Sequence, residues 1–258
     1  NIPFYILFEI VFMHCSLVSL IMAGGLGKRM SSSKAKVLHE VYGKPMLHYV
    51  IQNAIDVGSD KIFIVVGKYK PDIVSSVFSG FSSDVVQRIV FVSQNEVVMD
   101  GRTCSLGTGH AVRSCLDYFS LHNCNDDTRV LILSGDVPII DRQYLTTLST
   151  TPNCMMVAKV ENPAGYGRVF LDQDDCLSYI VEHSLCDERQ LSCKLVNAGL
   201  YCLTVRLLKL TIPQIELNER KKEFLLTDFY LFTELPITCL CAPAVPKNVN
   251  TLTDLQSI

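Results

Sequence analysis

The chain has 258 residues, of which 48% are hydrophobic and 19% charged, with a net charge of −3. That length holds one large α/β domain or a core with a small appended subdomain, and the apolar fraction excludes a disordered chain. With 23 basic against 26 acidic residues, no global positive field exists to hold a nucleic-acid backbone, although a local basic pocket for a small phosphorylated ligand is compatible with that balance.

From Ile2 to Ala23 the chain is mostly apolar, long enough to raise a membrane span. Glu9 and His14 interrupt it, and no basic region precedes it as a secretory leader requires. No membrane association is expected. Residues 1–12 read as an extension outside the fold, with Met13 a candidate start, and residues 13–258 as a single domain whose character shifts near residue 150.

Residues 17–23, rich in Val, Ile and Leu and ended by Gly24-Gly25, predict a buried strand. Residues 46–57 carry apolar positions at helical spacing and are closed by Gly58. Ile62 to Val66 is the next strand, Pro71 to Phe78 a helix, Ile89 to Val92 a strand, Gly107 to Tyr118 a helix and Val130 to Leu133 a strand ending in Ser134-Gly135-Asp136. Alternating strands and helices in this order predict a mostly parallel sheet flanked by helices. Beyond Cys154 the strand candidates 155–160, 167–171, 176–182 and 195–203 have short polar connections. They predict an antiparallel or mixed extension, followed by helices near 205–211 and 227–235. No internal repeat occurs.

Eleven cysteines are scattered singly through these elements, and their number is odd. No CxxC pair occurs, so neither a disulfide framework nor structural zinc is expected. Reduced thiols of this kind suit a cytoplasmic protein.

Two stretches carry chemistry. The first is Met22-Ala23-Gly24-Gly25-Leu26-Gly27-Lys28-Arg29-Met30, directly after a strand. Glycines there let the backbone turn sharply and approach a ligand, and successive N–H groups form an anion-binding concavity. Lys28, Arg29, Lys34 and Lys36 supply cations for phosphate oxygens. Neither the dinucleotide nor the P-loop fingerprint fits, and a plain glycine turn beside solvated basic residues has the same composition. The second stretch is Ser134-Gly135-Asp136-Val137-Pro138 at the end of another buried strand. Ligands of open α/β sheets bind at that edge, where an aspartate can hold Mg²⁺ against phosphates or simply satisfy its own turn.

The run from Leu20 to Tyr49, containing the glycine loop and Lys36-Val37-Leu38-His39, resembles the nucleotidyltransferase domain of bacterial N-acetylglucosamine-1-phosphate uridylyltransferases. The same holds for Leu106-Gly107-Thr108-Gly109-His110-Ala111, Gly135-Asp136-Val137-Pro138, Asn162-Pro163-Ala164-Gly165-Tyr166-Gly167-Arg168, Ile180-Val181-Glu182-His183, Asn197-Ala198-Gly199, Leu226-Thr227-Asp228 and Val249-Asn250-Thr251. The matches keep family order from about residue 17 to the C-terminus.

The resemblance implies a Rossmann-like nucleotide-diphospho-sugar transferase fold, with a nucleotide-binding half over about 17–150 and a sugar-binding half over about 151–258. It also implies Mg²⁺-dependent transfer of a uridylyl group from UTP to N-acetylglucosamine 1-phosphate, with loss of pyrophosphate. It places Arg29 at the β- and γ-phosphates, Lys36 at the reacting phosphates, and Asp136 and Asn250 on the metal. Ala23, Gly25, Gly27, Gln94, Gly107 and Thr108 fall at the nucleotide, and Gly167, Glu182 and Asn197 at the sugar. Outside that resemblance, Gly167 reads as a turn glycine, Asn197 as a strand-end residue, Glu182 as a paired surface carboxylate and Asp228 as a cap for the helix that follows.

There are departures. Ala35 replaces the proline usual before the loop lysine, which is expected to loosen the loop, and Lys28 stands where threonine is common. Asn95 to Ser105 is longer than in the family, Ser105 takes the place of a second base-reading glutamine, and Ser134 that of a frequent tyrosine. These bear on base selectivity more than on phosphate chemistry. The family's bifunctional members continue into an acetyltransferase β-helix, whose activity is not expected of these 258 residues. Without that element a monomer or small homo-oligomer is expected. A same-fold transferase for another sugar phosphate or nucleotide stays open, as does a catalytically silent regulatory relative.

Overall fold

The computed structural model describes residues 15–27, 30, 32–99, 102–249 and 251–256. Arg29, Asn250 and Lys28 lie outside the described residues, as does the apolar extension. Strand β1 (Leu17–Met22) is buried almost throughout, as a strand covered on both faces must be. A tight hairpin then joins β2 (Glu40–Val41) to β3 (Lys44–Pro45) through Tyr42 and Gly43, both at positive φ. Helix α1 (Met46–Asp56) follows and leaves through Gly58 at φ 80°. Next come β4 (Lys61–Val66), α2 (Lys70–Gly80), α3 (Ser83–Val86) and β5 (Ile89–Ser93). The segment after β5 folds as an antiparallel pair, β6 (Glu96–Met99) and β7 (Arg102–Ser105). Then α4 (Thr108–Arg113), α5 (Leu116–Leu121), β8 (Arg129–Ser134) and α6 (Arg142–Thr150) complete the first half.

In the second half β9 (Cys154–Lys159), β10 (Arg168–Leu171), β11 (Leu177–Val181), α7 (Glu188–Leu191) and β12 (Leu195–Thr204) precede α8 (Val205–Thr211). A small hairpin of β13 (Leu217–Asn218) and β14 (Glu223–Phe224), then β15 (Thr238–Ala242) and α9 (Leu252–Gln256), close the chain. Among the described residues the main sheet has nine strands. β5, β4, β1 and β8 run parallel, β12 pairs antiparallel with β8, and β9 and β15 extend the sheet beyond it. The N-terminal part of β12 also pairs with β10, which leads to β11.

Alternate residues of the parallel strands feed two cores. Val18, Leu20, Phe63, Val65, Val130 and Ile132 face one layer with α4, α5 and α8. Leu17, Ile21, Ile62, Ile64, Leu131 and Leu133 face the other with α1, α2 and α6. The result is a sheet sandwiched between helices, the mixed, mostly parallel architecture expected from the sequence. No described helix is long and apolar enough to cross a membrane. The described cysteines are free thiols, and burial pushes those of Cys124 and Cys202 up to about 12, which keeps them protonated and inert.

Several elements differ from the sequence expectation. The helix expected over 107–118 breaks into α4 and α5, where the Ser114 hydroxyl donates back to the His110 carbonyl (2.9 Å) and Cys115 N–H bonds three residues back to Val112. Such hydroxyl back-bonding bends helices. The segment expected as a helix over 227–235 is a 3₁₀ stretch, Leu226–Phe232, with Asp228 N–H bonded to the Leu225 carbonyl. Its start is tethered by Leu226 N–H donating to Thr108 Oγ1 (3.1 Å). Finally α6, capped by the Asp141 carboxylate on Gln143 N–H (2.8 Å), and strand β15 carry no counterpart in that expectation.

Buried histidines make the fold acid-sensitive. His48, between α1 and α2, bonds Ser76 Oγ through Nε2 (2.9 Å) and packs on Phe81. Burial, and then the Lys44 charge, hold its imidazole below the ordinary value of 6.5. The unfolded chain therefore takes up this proton first, so stability is level above about pH 6.5 and falls as pH drops below it. The thermal midpoint is expected to fall between pH 7.5 and 5, and to fall less in His48→Gln. An identical pH dependence in the variant would contradict this assignment.

Candidate active site

Parallel pairing of β1 with β4 and β8 brings their carboxyl ends to one edge, and the loops leaving them are bonded together there. Ala23 N–H donates to the Val65 carbonyl (2.9 Å), Gly135 N–H to Met22 (3.0 Å) and Gln94 N–H to Val66 (2.8 Å). Close approach explains the glycines. A Cβ on Gly24 would stand 2.8 Å from Gln94 Oε1, and one on Gly135 3.0 Å from the Met22 carbonyl. Gly27 turns at φ 60° and lies against Lys36.

These loops wall a cleft of about 460 Å³, lined among others by Gly25, Gly27, Lys36, Gln94, Thr108 and Asp136. Lys36 opens a 3₁₀ turn whose next residues, Val37 and Leu38, are buried and anchor it. Ala35 keeps φ at −54° and is buried, so the backbone holds the angle a proline would impose. Lys36 Nζ forms an ion pair with Asp136 Oδ2, and Ser134 Oγ donates to Asp136 Oδ1 (2.6 Å). The Lys36 and Asp136 side chains are only 13% and 14% exposed, so water screens the pair weakly. Val249 N–H, immediately before position 250, donates to the Asp136 carbonyl (3.0 Å).

On the opposite wall Gly107, at φ 90°, starts α4. Gln94 Nε2 donates to the Gly107 carbonyl (3.0 Å) and reaches His110 Nδ1 (3.3 Å), tying the end of β5 to α4. Burial, and then Arg113, lower the His110 imidazole, which keeps Nδ1 able to accept that amide. Gly107 and Gly109 are crossed closely by β14, and Phe224 N–H donates to the Leu106 carbonyl (2.8 Å). Ser105, at the end of the β6–β7 pair, also reaches the cleft.

Most of the predicted nucleotide residues thus converge: Gly25, Gly27, Gln94, Gly107 and Thr108 line the cleft with Lys36 and Asp136, while Ala23 lies buried behind them. The residues expected at the sugar, Gly167, Glu182 and Asn197, are not in its lining, and Glu182 is linked to it through Lys221. Asn197 N–H donates to the Gly167 carbonyl (2.9 Å), and the Asn197 amide donates to Tyr201 OH (2.6 Å). Glu182 accepts from Lys221 Nζ at Oε2 (2.8 Å) and from Thr227 Oγ1 at Oε1 (3.0 Å). Burial, then the negative charge of Glu182, raise the Asp228 carboxyl. Lys221, Lys222 and Glu223 line the cleft too. Sequence reasoning missed them, because a run of charges before Leu226-Thr227-Asp228 reads as a solvated turn.

The arrangement can hold a polyphosphate against backbone amides and a lysine–aspartate pair, with a polar group-binding region at one end. The family model for the MobA-like NTP transferase domain matches residues 19–189. The chain belongs to this family. It is a nucleotidyltransferase. It is 34% identical over 252 residues to a probable UDP-N-acetylglucosamine pyrophosphorylase of Acanthamoeba polyphaga mimivirus, covering 92% of this chain and 93% of that protein. It is also 34% identical over 221 residues to the bifunctional protein GlmU of Francisella tularensis subsp. holarctica. That match covers 83% of this chain but 44% of the Francisella protein. In fold it resembles a UDP-glucose pyrophosphorylase solved with UDP-glucose (TM-score 0.69, 14% identity, 93% of this chain and 96% of that one). The cleft lies at the sheet edge where the glycine loop leaves β1.

The packing at Gly107 gives a direct test of how the cleft wall is held. A Cβ there would lie 2.7 Å from the Phe224 carbonyl oxygen at a φ that side chains rarely adopt. Gly107→Ala should therefore cost about 2 kcal/mol of stability, read as a lower urea midpoint. Wild-type stability would contradict the close packing of β14 on α4.

Proposed function

We propose that the chain transfers a uridylyl group from UTP to N-acetylglucosamine 1-phosphate in a Mg²⁺-dependent reaction. The observation carrying this reading is a cleft in which the glycine loop, the Lys36–Asp136 pair and the Gln94–Gly107 wall meet, with its lining residue Lys221 paired to Glu182. The 34% identity to the mimivirus relative over 92% of the chain supports the choice of sugar and base.

In this reading an oxygen of the sugar phosphate attacks the α-phosphorus of UTP. The new P–O bond forms as the bond to the β-phosphate breaks, and pyrophosphate leaves with the electron pair. The nucleophile is already an anion, so no general base is required, and catalysis rests on positioning and charge neutralisation. The amides of Gly24 to Gly27 cradle phosphate oxygens. Lys36, ion-paired with Asp136, places its positive charge beside the reacting phosphates. Arg29, assigned from its place in the sequence, takes the leaving pyrophosphate. Both Gln94 amide hydrogens face Gly107 and His110, which leaves its carbonyl oxygen to accept an N–H from the base.

The residues at the Asp136 loop fit a hard cation. Each Asp136 oxygen takes one internal hydrogen bond, and a carboxylate offers about four acceptor positions. Asp136 and Asn250 would hold Mg²⁺, with phosphate oxygens completing the set. The Val249 bond to Asp136 supports that pairing. Bound there, the ion would supply positive charge to the phosphate oxygens.

Pyrophosphate release tests the reading, with UTP, CTP, GTP, ATP and dTTP each paired with N-acetylglucosamine 1-phosphate and with glucose 1-phosphate. Release with UTP and N-acetylglucosamine 1-phosphate is expected. Another productive pair would overturn the specificity and keep the chemistry, and no release with any pair would favour a silent relative. Asp136→Ala should lower turnover about 100-fold or more with little change in melting temperature. Near-normal turnover in that variant would sink its metal role.

A further inference from the structure

Lys221 joins the cleft lining to Glu182, and nothing in the sequence motifs assigns it. It belongs to the β13–β14 hairpin, whose turn is ordered locally. Asn218 Oδ1 accepts from Lys221 N–H (3.0 Å), and the Asn218 carbonyl accepts from Lys222 N–H (2.7 Å). The hairpin is fixed to the nucleotide wall by the Phe224 to Leu106 bond and by Arg113 stacked over the Phe224 ring (4.6 Å). From that anchored position Lys221 lines the cleft and reaches across to Glu182 Oε2 at 2.8 Å. The two side chains are 29% and 23% exposed. Its neighbour Lys222 is 57% exposed and pairs with Glu219 on the same turn, so it is a surface residue by comparison.

An ammonium has three donors and no acceptor. Glu182 uses one of those of Lys221, and the others are available on the cleft side. An acceptor whose sugar lies by Glu182 and whose phosphate must meet the nucleotide α-phosphorus has to pass its phosphate through this seam. We infer that Lys221 binds the phosphate of the sugar 1-phosphate and, through its ion pair with Glu182, couples recognition of that phosphate to recognition of the sugar. This rests on the sugar-phosphate reading above and adds to it a residue that selects phosphorylated acceptors.

The test is steady-state kinetics on Lys221→Met, Lys221→Arg, Glu182→Ala and the double variant, with UTP and the best sugar 1-phosphate from the panel. Lys221→Met should raise KM for the sugar phosphate about tenfold or more while KM for UTP stays within about twofold, and Lys221→Arg should recover part of the loss. Contact with phosphate requires that Lys221→Met still raise KM about tenfold in the Glu182→Ala background. No further loss there would mean that Lys221 acts only by holding Glu182, and would overturn the inference. Should Lys221→Met fail to fold, Lys221→Gln carries the same comparison. A working wild type with an unmoved KM in the variant sinks this inference alone. A wild type inactive with every sugar phosphate takes down the functional reading, and this inference with it.

Discussion

Everything at this site depends on the parallel pairing of β1 between β4 and β8, which sends the chain out of all three strands at one edge. Register fixes the consequence: Met22 lies opposite both Val65 and Ser134, so the glycine loop and the Asp136 loop leave from the same level. The bond from Gly135 N–H to the Met22 carbonyl closes the distance between them. Only then can Lys36, carried by the first loop, form its ion pair with Asp136 on the second. Such a pair, largely withdrawn from water, costs desolvation, and a fold retaining it next to a polar cleft spends stability on a preorganised charge arrangement. A preorganised charge arrangement of this kind suits the phosphate chemistry proposed for the cleft.

The second half of the chain supplies the other end. Antiparallel β12 joins β8 on one side and, through its earlier residues, β10, which places Gly167 and Asn197 within one hydrogen bond of each other. The 3₁₀ segment after β14 brings Thr227 onto Glu182, and the β13–β14 hairpin brings Lys221. Because the same hairpin packs on Gly107 and Gly109, the α4 wall of the cleft and the surroundings of Glu182 share a mechanical element. Movement of the hairpin would alter both.

Much of this was legible in the sequence. The mostly apolar runs of β1, β4 and β8 declare strands covered on both faces, and the glycine loop and Ser134-Gly135-Asp136 declare what stands at their ends. What was illegible depends on tertiary contacts. The break at Ser114 follows from a hydroxyl choosing the His110 carbonyl, which helical periodicity does not encode. Lys221 acquires meaning only when Glu182, 39 residues earlier, is brought beside it. The β6–β7 pair is a different case. Its signal is local, two β-prone stretches around Asp100-Gly101, a strong hairpin cue.

The central claim is that both loops act on one nucleotide in one cleft. A crystal structure with the uridine diphosphate sugar product and Mg²⁺ tests it most directly. The account predicts the diphosphate between the Gly24–Gly27 amides and the Lys36–Asp136 pair, the base against Gln94 and Gly107, and the sugar toward Glu182. A product bound elsewhere, or with its diphosphate remote from Asp136, would contradict it.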